Sequence, residues 1–308
     1  MSLVINTNMM AMNAARNLGD AYGNLAVSTR RLSSGLRVGT AADDAAGLAA
    51  RELMRADIAA LNQGVRNAND GISLIQTADG ALGVIDEKLI RMKELAEQAA
   101  TGTYNSDQRL IIDSEYQAMA SEITRIANAT KFNGIYLLNG NLSGGSDLRP
   151  DEWAGKHDGS KLQATGPLKI HFGPTNDAKE DYYYIQIGLS TASGLGVGNQ
   201  VADLSKAGGH ISTQSAAQAA LKALDDAIIS KDKIRAQLGA LQNRLENTIT
   251  NLQIQSENLQ AAESRISDVD VAHEMTQFVR NQILTQSAVA MLSQANNLPR
   301  MAMQLIGG

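Results

Sequence analysis

The chain has 308 residues, a net charge of −5 and no cysteine, which excludes disulfide bonds, thiol catalysis and cysteine-ligated metals. Hydrophobic residues make up 44% of the chain but aromatic residues only 4%, so the core must be built mainly from aliphatic side chains, which suits packing of helix on helix. The acidic balance offers no basic surface for nucleic acid, and no apolar run approaches the roughly 20 residues that span a bilayer.

The first predicted element is a helix over residues 11–36. Apolar side chains recur there at alternating steps of four and three, which is the spacing of a coiled coil. Gly35 stands where the glycine that ends a helix is expected. The coiled-coil seam predicted from this spacing consists of Ala11, Ala15, Leu18, Tyr22, Leu25, Thr29, Leu32 and Leu36.

The stretch RLSSGLRVGTAADDAAG, residues 31–47, interrupts the helical pattern. A second helix is predicted to begin after Thr40 or at Asp43-Asp44, because acidic residues suit the positive end of the helix dipole. Its apolar spacing runs through Ile58, Leu61, Val65, Ala68, Ile72 and Ile75 and continues from Leu82 with a small phase slip. The glycines within it each weaken a helix by about 1 kcal/mol relative to alanine. A third helix follows, with Ser106 as its predicted N-cap.

The middle of the chain has a different composition, with turn dipeptides such as Asn133-Gly134 and three of the four prolines. Two segments, LKIHF (168–172) and YYYIQIGL (182–189), alternate apolar and polar residues and are joined by a polar stretch. They predict a β-hairpin. Residues 141–166 are predicted to form a short irregular insert.

Helix is predicted again from about Thr213, with a sustained heptad pattern over residues 234–266. A break at 267–270 precedes a last helix over 271–297, which is predicted to end before Pro299. Apolar residues cover most of the circumference of this last helix, so it must be buried nearly all round. The first and last helices are therefore expected to pair, the inner helices to form an antiparallel bundle, and identical copies of the chain to cover the remaining apolar surface.

No motif for catalysis, a metal or a cofactor is complete in this sequence. His273-Glu274 begins the zinc-binding pattern HExxH, but position 277 is a glutamine. The glycine-rich GLGVGN (194–199) is neither a dinucleotide-binding nor a phosphate-binding loop. Arg280 is the single Lys or Arg of the last helix, which argues against a helix that binds a membrane surface. We therefore predict a protein that is not an enzyme and needs no cofactor.

Ten longer motifs cover both ends of the chain and nearly all of its helical sequence. They are INTN (5–8), RLSSGLR (31–37), DDAAG (43–47), RNANDGISLIQTADGAL (66–82), KELAEQA (93–99), KFNG (131–134), LGALQNRL (238–245), ITNL (249–252), ESRISDVD (263–270) and QANNLP (294–299). Together they resemble the motifs of bacterial flagellin, the subunit of the flagellar filament.

The resemblance implies a mainly α, two-domain form of flagellin that lacks large outer domains. Residues 1–42 and 268–308 are expected to form a terminal coiled-coil domain, the inner core of the filament. Residues 43–267 are expected to form a helical rod with the hairpin at about 168–189. The implied assembly residues on the terminal helices are Leu18, Tyr22, Leu25, Leu32, Phe278, Val279, Ile283 and Leu292, and the implied connector between the two domains includes Arg31, Gly35, Asp43 and Asp44.

The function that the resemblance implies is that of a structural subunit, which polymerises into the extracellular bacterial flagellar filament used for motility. The alternative is a hook–filament junction protein, which is similar to flagellin at its ends. Implied partners are other copies of the chain, an export chaperone, the flagellar export apparatus, which needs no cleaved signal peptide, and hook-associated and cap proteins. An innate immune receptor for flagellin is a further implied partner, with a matching epitope at Arg91, Leu95, Glu115 and Arg244.

Overall fold

The computed structural model describes residues 8–143, 166–175, 177, 181–198 and 208–306. These residues form six helices and two small antiparallel sheets, so the predicted mainly α fold with a hairpin insert is confirmed. In chain order the elements are α1 (Met9–Ser34), α2 (Ala45–Ala100), α3 (Ser106–Ala129), β1 (Lys131–Phe132), β2 (Ile135–Tyr136), β3 (Leu168–His171), β4 (Tyr182–Ile185), α4 (Ala192–Leu195), α5 (Gln214–Ser267) and α6 (Val271–Ile306).

Helix α1 is capped at both ends by residues that the local chemistry favours. The Asn8 side chain accepts a hydrogen bond from the Ala11 backbone N–H (3.0 Å), which satisfies one of the free donors at the helix start. Gly35 adopts the left-handed conformation, with φ of 73°, and its N–H donates to the Arg31 carbonyl at 2.8 Å. The predicted C-terminal glycine cap is therefore confirmed.

Helix α2 is a single helix of 56 residues. Its buried residues follow steps of three and four without interruption from Leu61 to Ala99, so the predicted phase slip is wrong. The slip arose because the bulkier Val65 and Ile72 were assigned to the seam in place of neighbouring glycines. The buried seam consists of Leu61, Gly64, Ala68, Gly71, Ile75, Ala78, Leu82, Ile85, Leu89, Met92, Ala96 and Ala99.

The glycines of this seam make room for the larger of two hairpins. Strands β3 and β4 are antiparallel, with Leu168 opposite Ile185, which confirms the predicted hairpin although β4 ends well before residue 189. A Cβ on Gly64 would collide with the Phe172 carbonyl oxygen. The Asn67 side-chain amide donates to the carbonyl of His171 at 2.8 Å. The hairpin therefore lies directly against the backbone of α2.

A smaller hairpin follows α3 and was predicted only as a turn. Strands β1 and β2 are joined by Asn133 and Gly134, which both have positive φ (48° and 81°), as a tight two-residue turn requires. Helix α3 itself begins one residue after its true N-cap, which is Asn105 rather than the predicted Ser106. The Asn105 side chain accepts from the Gln108 N–H (2.8 Å), and the Gln108 side chain accepts from the Asn105 N–H (3.1 Å).

Helix α6 runs through Pro299, so the prediction that it ends before this residue is wrong. Proline has no N–H, so the carbonyl four residues earlier, that of Ala295, loses its helical partner. The Asn8 side-chain amide donates to this carbonyl at 2.8 Å. A contact between the two ends of the chain thus satisfies the Ala295 carbonyl that the proline leaves free. Such a contact cannot be found from the sequence around Pro299 alone.

Ion pairs between α2 and α5 fix the antiparallel register of these helices. Their α2 members are seven residues apart and so lie on one edge of the helix. Their α5 members occur in descending order, as antiparallel packing demands. The pairs are Asp79 with Arg235 (2.7 Å), Asp86 with Lys231 (2.6 Å) and Lys93 with Asp225 (2.6 Å).

The chain divides into two compact units. The described residues of Met1–Ile58 and Ser256–Gly308 form one, called here the terminal unit, and those of Ala59–Gln255 form the other, the rod unit. Among the described residues, the largest fully buried side chains all belong to the rod unit: Tyr116, Lys231, Ile75, Leu82, Ile85, Leu89, Met92, Leu95, Ile123, Leu137, Leu138 and Leu142. The domain boundaries that the resemblance implies, at 42/43 and 267/268, stay a prediction.

Candidate functional site

The terminal unit is built on an antiparallel pair of helices, α1 and α6. The start of α1 lies beside the end of α6, where Asn8 binds the Ala295 carbonyl. The end of α1 lies beside the start of α6, where Arg31 Nη1 is 3.7 Å from Glu274 Oε2. The two terminal helices therefore pair, as predicted.

The seam between α1 and α6 is made largely of small and polar residues. Its positions follow steps of three and four on both helices, but the α1 seam is shifted from the prediction. Ala14, Ala21 and Ser28 replace the predicted Ala15, Tyr22 and Thr29. The less exposed positions that follow these steps are Ala11, Ala14, Leu18, Ala21, Leu25, Ser28 and Leu32 on α1, and Glu274, Phe278, Asn281, Thr285, Ala288, Leu292 and Ala295 on α6.

The eight predicted assembly residues divide between this seam and the outer surface. Those in the seam, all partly buried, are Leu18, Leu25, Leu32, Phe278 and Leu292. The remaining three, Tyr22, Val279 and Ile283, are exposed to solvent within one chain, and Ile283 is 57% exposed. The structure therefore places five of them between the two helices and leaves three on the outside.

The outer surface of this helix pair carries many large apolar side chains among polar ones. A groove of about 550 Å³ between the helices is bordered by Met10, Leu284 and Met291. Exposed large apolar side chains continue along both helices: Met9, Met10, Met12, Tyr22, Val271, Met275, Val279, Ile283, Leu284, Val289, Met291 and Met301. Large apolar side chains exposed in such number mark a site of association with another molecule.

Two connecting segments join the helices of the terminal unit to one another. Leu36 and Asp268 form an antiparallel β-bridge. The Arg37 N–H donates to the Ser267 carbonyl at 2.6 Å, and the Val269 N–H donates to the Gly35 carbonyl at 3.0 Å. These bonds satisfy backbone groups that the ends of α1 and α5 leave free. The two breaks predicted at these positions therefore face and bind each other.

Three of the four predicted connector residues organise the turn before α2. Gly35 ends α1, and Asp44 Oδ1 accepts from the N–H groups of Ala46 and Gly47, which caps α2. The hydrogen bond from the Thr40 hydroxyl, with the nearby charge of Arg30, holds the pKa of Asp43 below its ordinary value. The fourth residue, Arg31, lies on α1 beside Glu274.

Several residues that position this site were not singled out from the sequence. Buried Arg51 donates to the carbonyl of Val38 at 2.8 Å and so anchors the segment before α2 to the N-terminal part of this helix. Asn8 caps α1 and binds Ala295, and the position of an asparagine just before an apolar helix could have identified the cap. Nothing in the local sequence indicates the partners of Arg51 or the second bond of Asn8.

The four predicted epitope residues do not form one cluster. The Arg91 guanidinium binds Glu115 at 2.8 Å, and this bond raises the pKa of Arg91. Leu95 is buried in the rod core. Arg244 lies over the Tyr183 ring (4.2 Å), next to the point where α5 passes Gly71 of α2. That point is about 30 Å along α2 from Arg91 at 1.5 Å per residue.

Within the described residues, no group of three or more histidine, aspartate or glutamate side chains could hold a metal ion. None of the helices, over the residues described, combines the length and hydropathy needed to cross a membrane.

Two segments of the chain match models of protein families. Residues 5–143 match the bacterial flagellin N-terminal helical region, and residues 221–306 match the bacterial flagellin C-terminal helical region. The flagellar filament 33 kDa core protein of Treponema phagedenis is 40% identical over 304 residues, which cover 99% of this chain and 100% of the relative. A flagellin of Halalkalibacterium halodurans is 40% identical over 309 residues, with coverages of 99% and 100%.

A solved structure is similar in fold. It is that of a protein from Vibrio parahaemolyticus provisionally described as flagellar hook-associated, with a TM-score of 0.53 and 14% identity. The match covers 73% of this chain and 100% of that chain. At this identity the likeness shows the fold alone.

Proposed function

Because this chain belongs to the bacterial flagellin family, we propose that it is a structural subunit that polymerises into the bacterial flagellar filament. The family consists of structural proteins, and the full-length match to relatives named as a flagellin and a filament core protein supports this role. The proposed role is to build the filament and involves no catalysis.

The observation that carries this proposal is the apolar outer surface of the terminal helix pair. The α1–α6 seam covers one stripe of each helix, while side chains such as Tyr22, Val279 and Ile283 stay in contact with water. Exposure of so many large apolar side chains to water is unfavourable in an isolated chain, and contact with further copies removes them from water. Contacts between different faces of identical subunits produce an open helical polymer when the rotation between neighbouring copies does not close into a ring.

The connector supports the same proposal. The segments at 35–38 and 266–269 bind each other. The connection from α1 to α2 and the connection from α5 to α6 therefore lie side by side. Such a joint allows the terminal helix pair to form the inner layer of a filament while α2, α3 and α5 form the next layer outward. This layered arrangement is the one that the two-domain resemblance implies.

Further partners follow from the proposed filament role. An export chaperone would cover the exposed apolar side chains of α6 before assembly, and the flagellar export apparatus would carry the chain to an extracellular filament end. Hook-associated and cap proteins would contact the terminal helices at the two ends of the filament.

Recognition by the innate immune receptor for flagellin is the most detailed of these proposals. Arg91 and Glu115 present a paired, exposed surface on α2 and α3 that such a receptor would contact. Leu95 would act from within the core by holding α2 in place, and Arg244 would contribute to a separate part of the surface.

Seeded polymerisation of the purified chain tests the filament role. Sheared filament seeds are added to monomer, and growth is followed by light scattering and electron microscopy. We expect filaments from the full chain and none from a chain lacking residues 271–308. Ile283→Asp should also abolish growth, since it places a charge in the proposed contact surface, whereas the adjacent exposed Gln282→Asp serves as the matched control.

One result would contradict the filament role, and another would contradict only the part that the apolar surface plays in it. A full-length chain that stays monomeric with seeds under all conditions would favour the hook–filament junction role instead. Equal loss of growth in the Ile283 and Gln282 variants would mean that added charge, rather than loss of apolar contact, prevents assembly.

A further inference from the structure

Methionine is concentrated in the terminal unit. Nine of the eleven methionines of the chain fall in the two segments that form this unit, and only Met92 and Met119 belong to the rod unit. The chain has no cysteine, so methionine is its only sulfur-containing residue. The nine methionines of the terminal segments are Met1, Met9, Met10, Met12, Met54, Met275, Met291, Met301 and Met303.

The terminal methionines with described side chains are unusually open to solvent, apart from Met54, which is partly buried. Their exposed fractions range from 45% for Met275 to 64% for Met291, whereas Met92 of the rod core is 0% exposed. Oxidation of a thioether depends on access of the oxidant to the sulfur. A single chain therefore contains one reactive and one protected class of methionine. The reactive class consists of Met9, Met10, Met12, Met275, Met291 and Met301.

We propose that these six methionines form a reversible oxidation site that controls whether the unassembled subunit can polymerise. The inference rests on the proposed filament function, because it requires the apolar outer surface of the terminal unit to be the contact surface between copies. The oxidant is a hydroperoxide such as hydrogen peroxide.

The chemistry is a two-electron oxidation at sulfur. The thioether lone pair attacks the peroxide, the O–O bond breaks, an S–O bond forms, and the second oxygen leaves as water after proton transfer. Each methionine becomes a sulfoxide while one peroxide is reduced to water. Methionine sulfoxide reductases reverse the change, since a dithiol is oxidised to a disulfide and the sulfoxide oxygen leaves as water.

The location of the six sulfur atoms determines the effect on assembly. Met10 and Met291 border the groove between α1 and α6, and Met275 precedes the exposed Val279 and Ile283 on α6. A sulfoxide at such a position replaces an apolar thioether by a strongly hydrated polar group, and burial of that group against another copy weakens association by about tenfold per group. Once copies cover this surface, the same sulfur atoms are shielded, so the assembled filament resists the oxidant that disables the free subunit.

The first test maps oxidation on the free chain. Monomer is treated with hydrogen peroxide, the reaction is stopped with catalase, and peptide mass spectrometry measures sulfoxide at each methionine. We expect the six exposed methionines to be oxidised at least about tenfold faster than Met92, in line with their access to solvent. Oxidation of Met92 at the same rate would overturn the inference whether or not the chain polymerises.

The second test measures seeded growth of the oxidised chain. We expect at least a tenfold loss of elongation rate, with recovery after treatment with the two stereospecific methionine sulfoxide reductases. A chain with all six methionines changed to leucine, which conserves volume and helix propensity, should grow with and without peroxide. The matched control, Met92→Leu with Met119→Leu, should remain sensitive to peroxide.

The two proposals fail in different ways. If the untreated chain does not elongate seeds, the filament function fails. If the untreated chain elongates and the oxidised chain does so at the same rate with sulfoxide present at the six positions, only the inference about oxidation is overturned. Loss of growth in the peroxide-treated leucine variant would also overturn it, because the loss would then come from damage elsewhere.

Discussion

The rod unit and the terminal unit use the same heptad spacing for opposite purposes. In the rod unit, large side chains such as Leu82 and Leu89 fill the seam and are fully buried. In the terminal unit, alanine, serine and threonine occupy much of the seam, while large apolar side chains such as Ile283 face outward. The rod unit therefore completes its own core, whereas the terminal unit reserves its apolar surface for contacts outside the chain.

Leucine-to-alanine changes at one seam position in each unit would test this contrast most directly. Leu82→Ala should lower the free energy of unfolding by about 2–5 kcal/mol, because it leaves a cavity in a closed core. Leu25→Ala should cost the monomer about 1 kcal/mol or less, because this side chain is already partly in water. Denaturant unfolding followed by circular dichroism measures both, and equal losses would contradict the comparison.

Glycine-to-alanine changes would sharpen the same comparison. Gly64→Ala should destabilise the rod unit by about 1–3 kcal/mol, since the added methyl group meets the Phe172 carbonyl oxygen and pushes the hairpin away from α2. Gly19→Ala in α1 has open space around it and should stabilise the monomer by up to about 1 kcal/mol through helix propensity. Thermal unfolding of the two variants should therefore shift in opposite directions, and a shared direction would be evidence against close packing at Gly64.

Asn8→Ala would test how α1 and α6 are held together where α1 begins and α6 approaches Pro299. The change removes the cap of α1 and the donor to the Ala295 carbonyl, at an expected cost of about 1 kcal/mol. Amide exchange should become faster both at the start of α1 and near Pro299. Asn17→Ala, an exposed change within α1, is the control and should leave exchange near Pro299 unaltered. Unchanged exchange near Pro299 in the Asn8 variant would show that the bond to Ala295 contributes nothing.

Acid should have the smallest effect on the stability of the fold, and it should act on both units. Hydrogen bonds from Thr175 to Asp181 in the rod unit and from Thr40 to Asp43 in the terminal unit lower the pKa of each carboxyl. A lowered folded pKa stabilises the fold above the ordinary value of about 4, and this stabilisation is lost as pH falls through the folded pKa. Carboxyl titration by nuclear magnetic resonance should find a pKa below the ordinary value at both groups, and an ordinary pKa at either position would contradict the corresponding contact.

The sequence was sufficient to predict the order of helices, the paired ends, the larger hairpin and the glycine cap at Gly35. It misassigned the seams for one physical reason: large apolar residues were taken to be the buried ones. In α1 this favoured Tyr22 over Ala21, and in α2 it favoured Ile72 over Gly71. Where another backbone or helix approaches closely, the small residue lies in the contact.

The end of the last helix could not be predicted for a different reason. Pro299 ordinarily signals a helix end because of the hydrogen bond it removes. The missing donor comes from Asn8, which lies at the other end of the chain. Local sequence patterns contain no information about such a partner, so the same limitation applies to the bond between Arg51 and Val38.

The hydrogen bond between Asn8 and Ala295 joins residues that are 287 positions apart in sequence. Closing a loop of that length in a free chain costs about 5 kcal/mol of entropy. Pairing of α2 with α5, whose ion-paired residues are 132 to 156 positions apart, needs a shorter loop and shortens what remains to be closed. We therefore expect the rod to fold first and bring the chain ends within reach of each other. The first helix to leave a ribosome or a secretion channel would then be the last to find its partner, and the order of folding would run from the middle of the sequence outward.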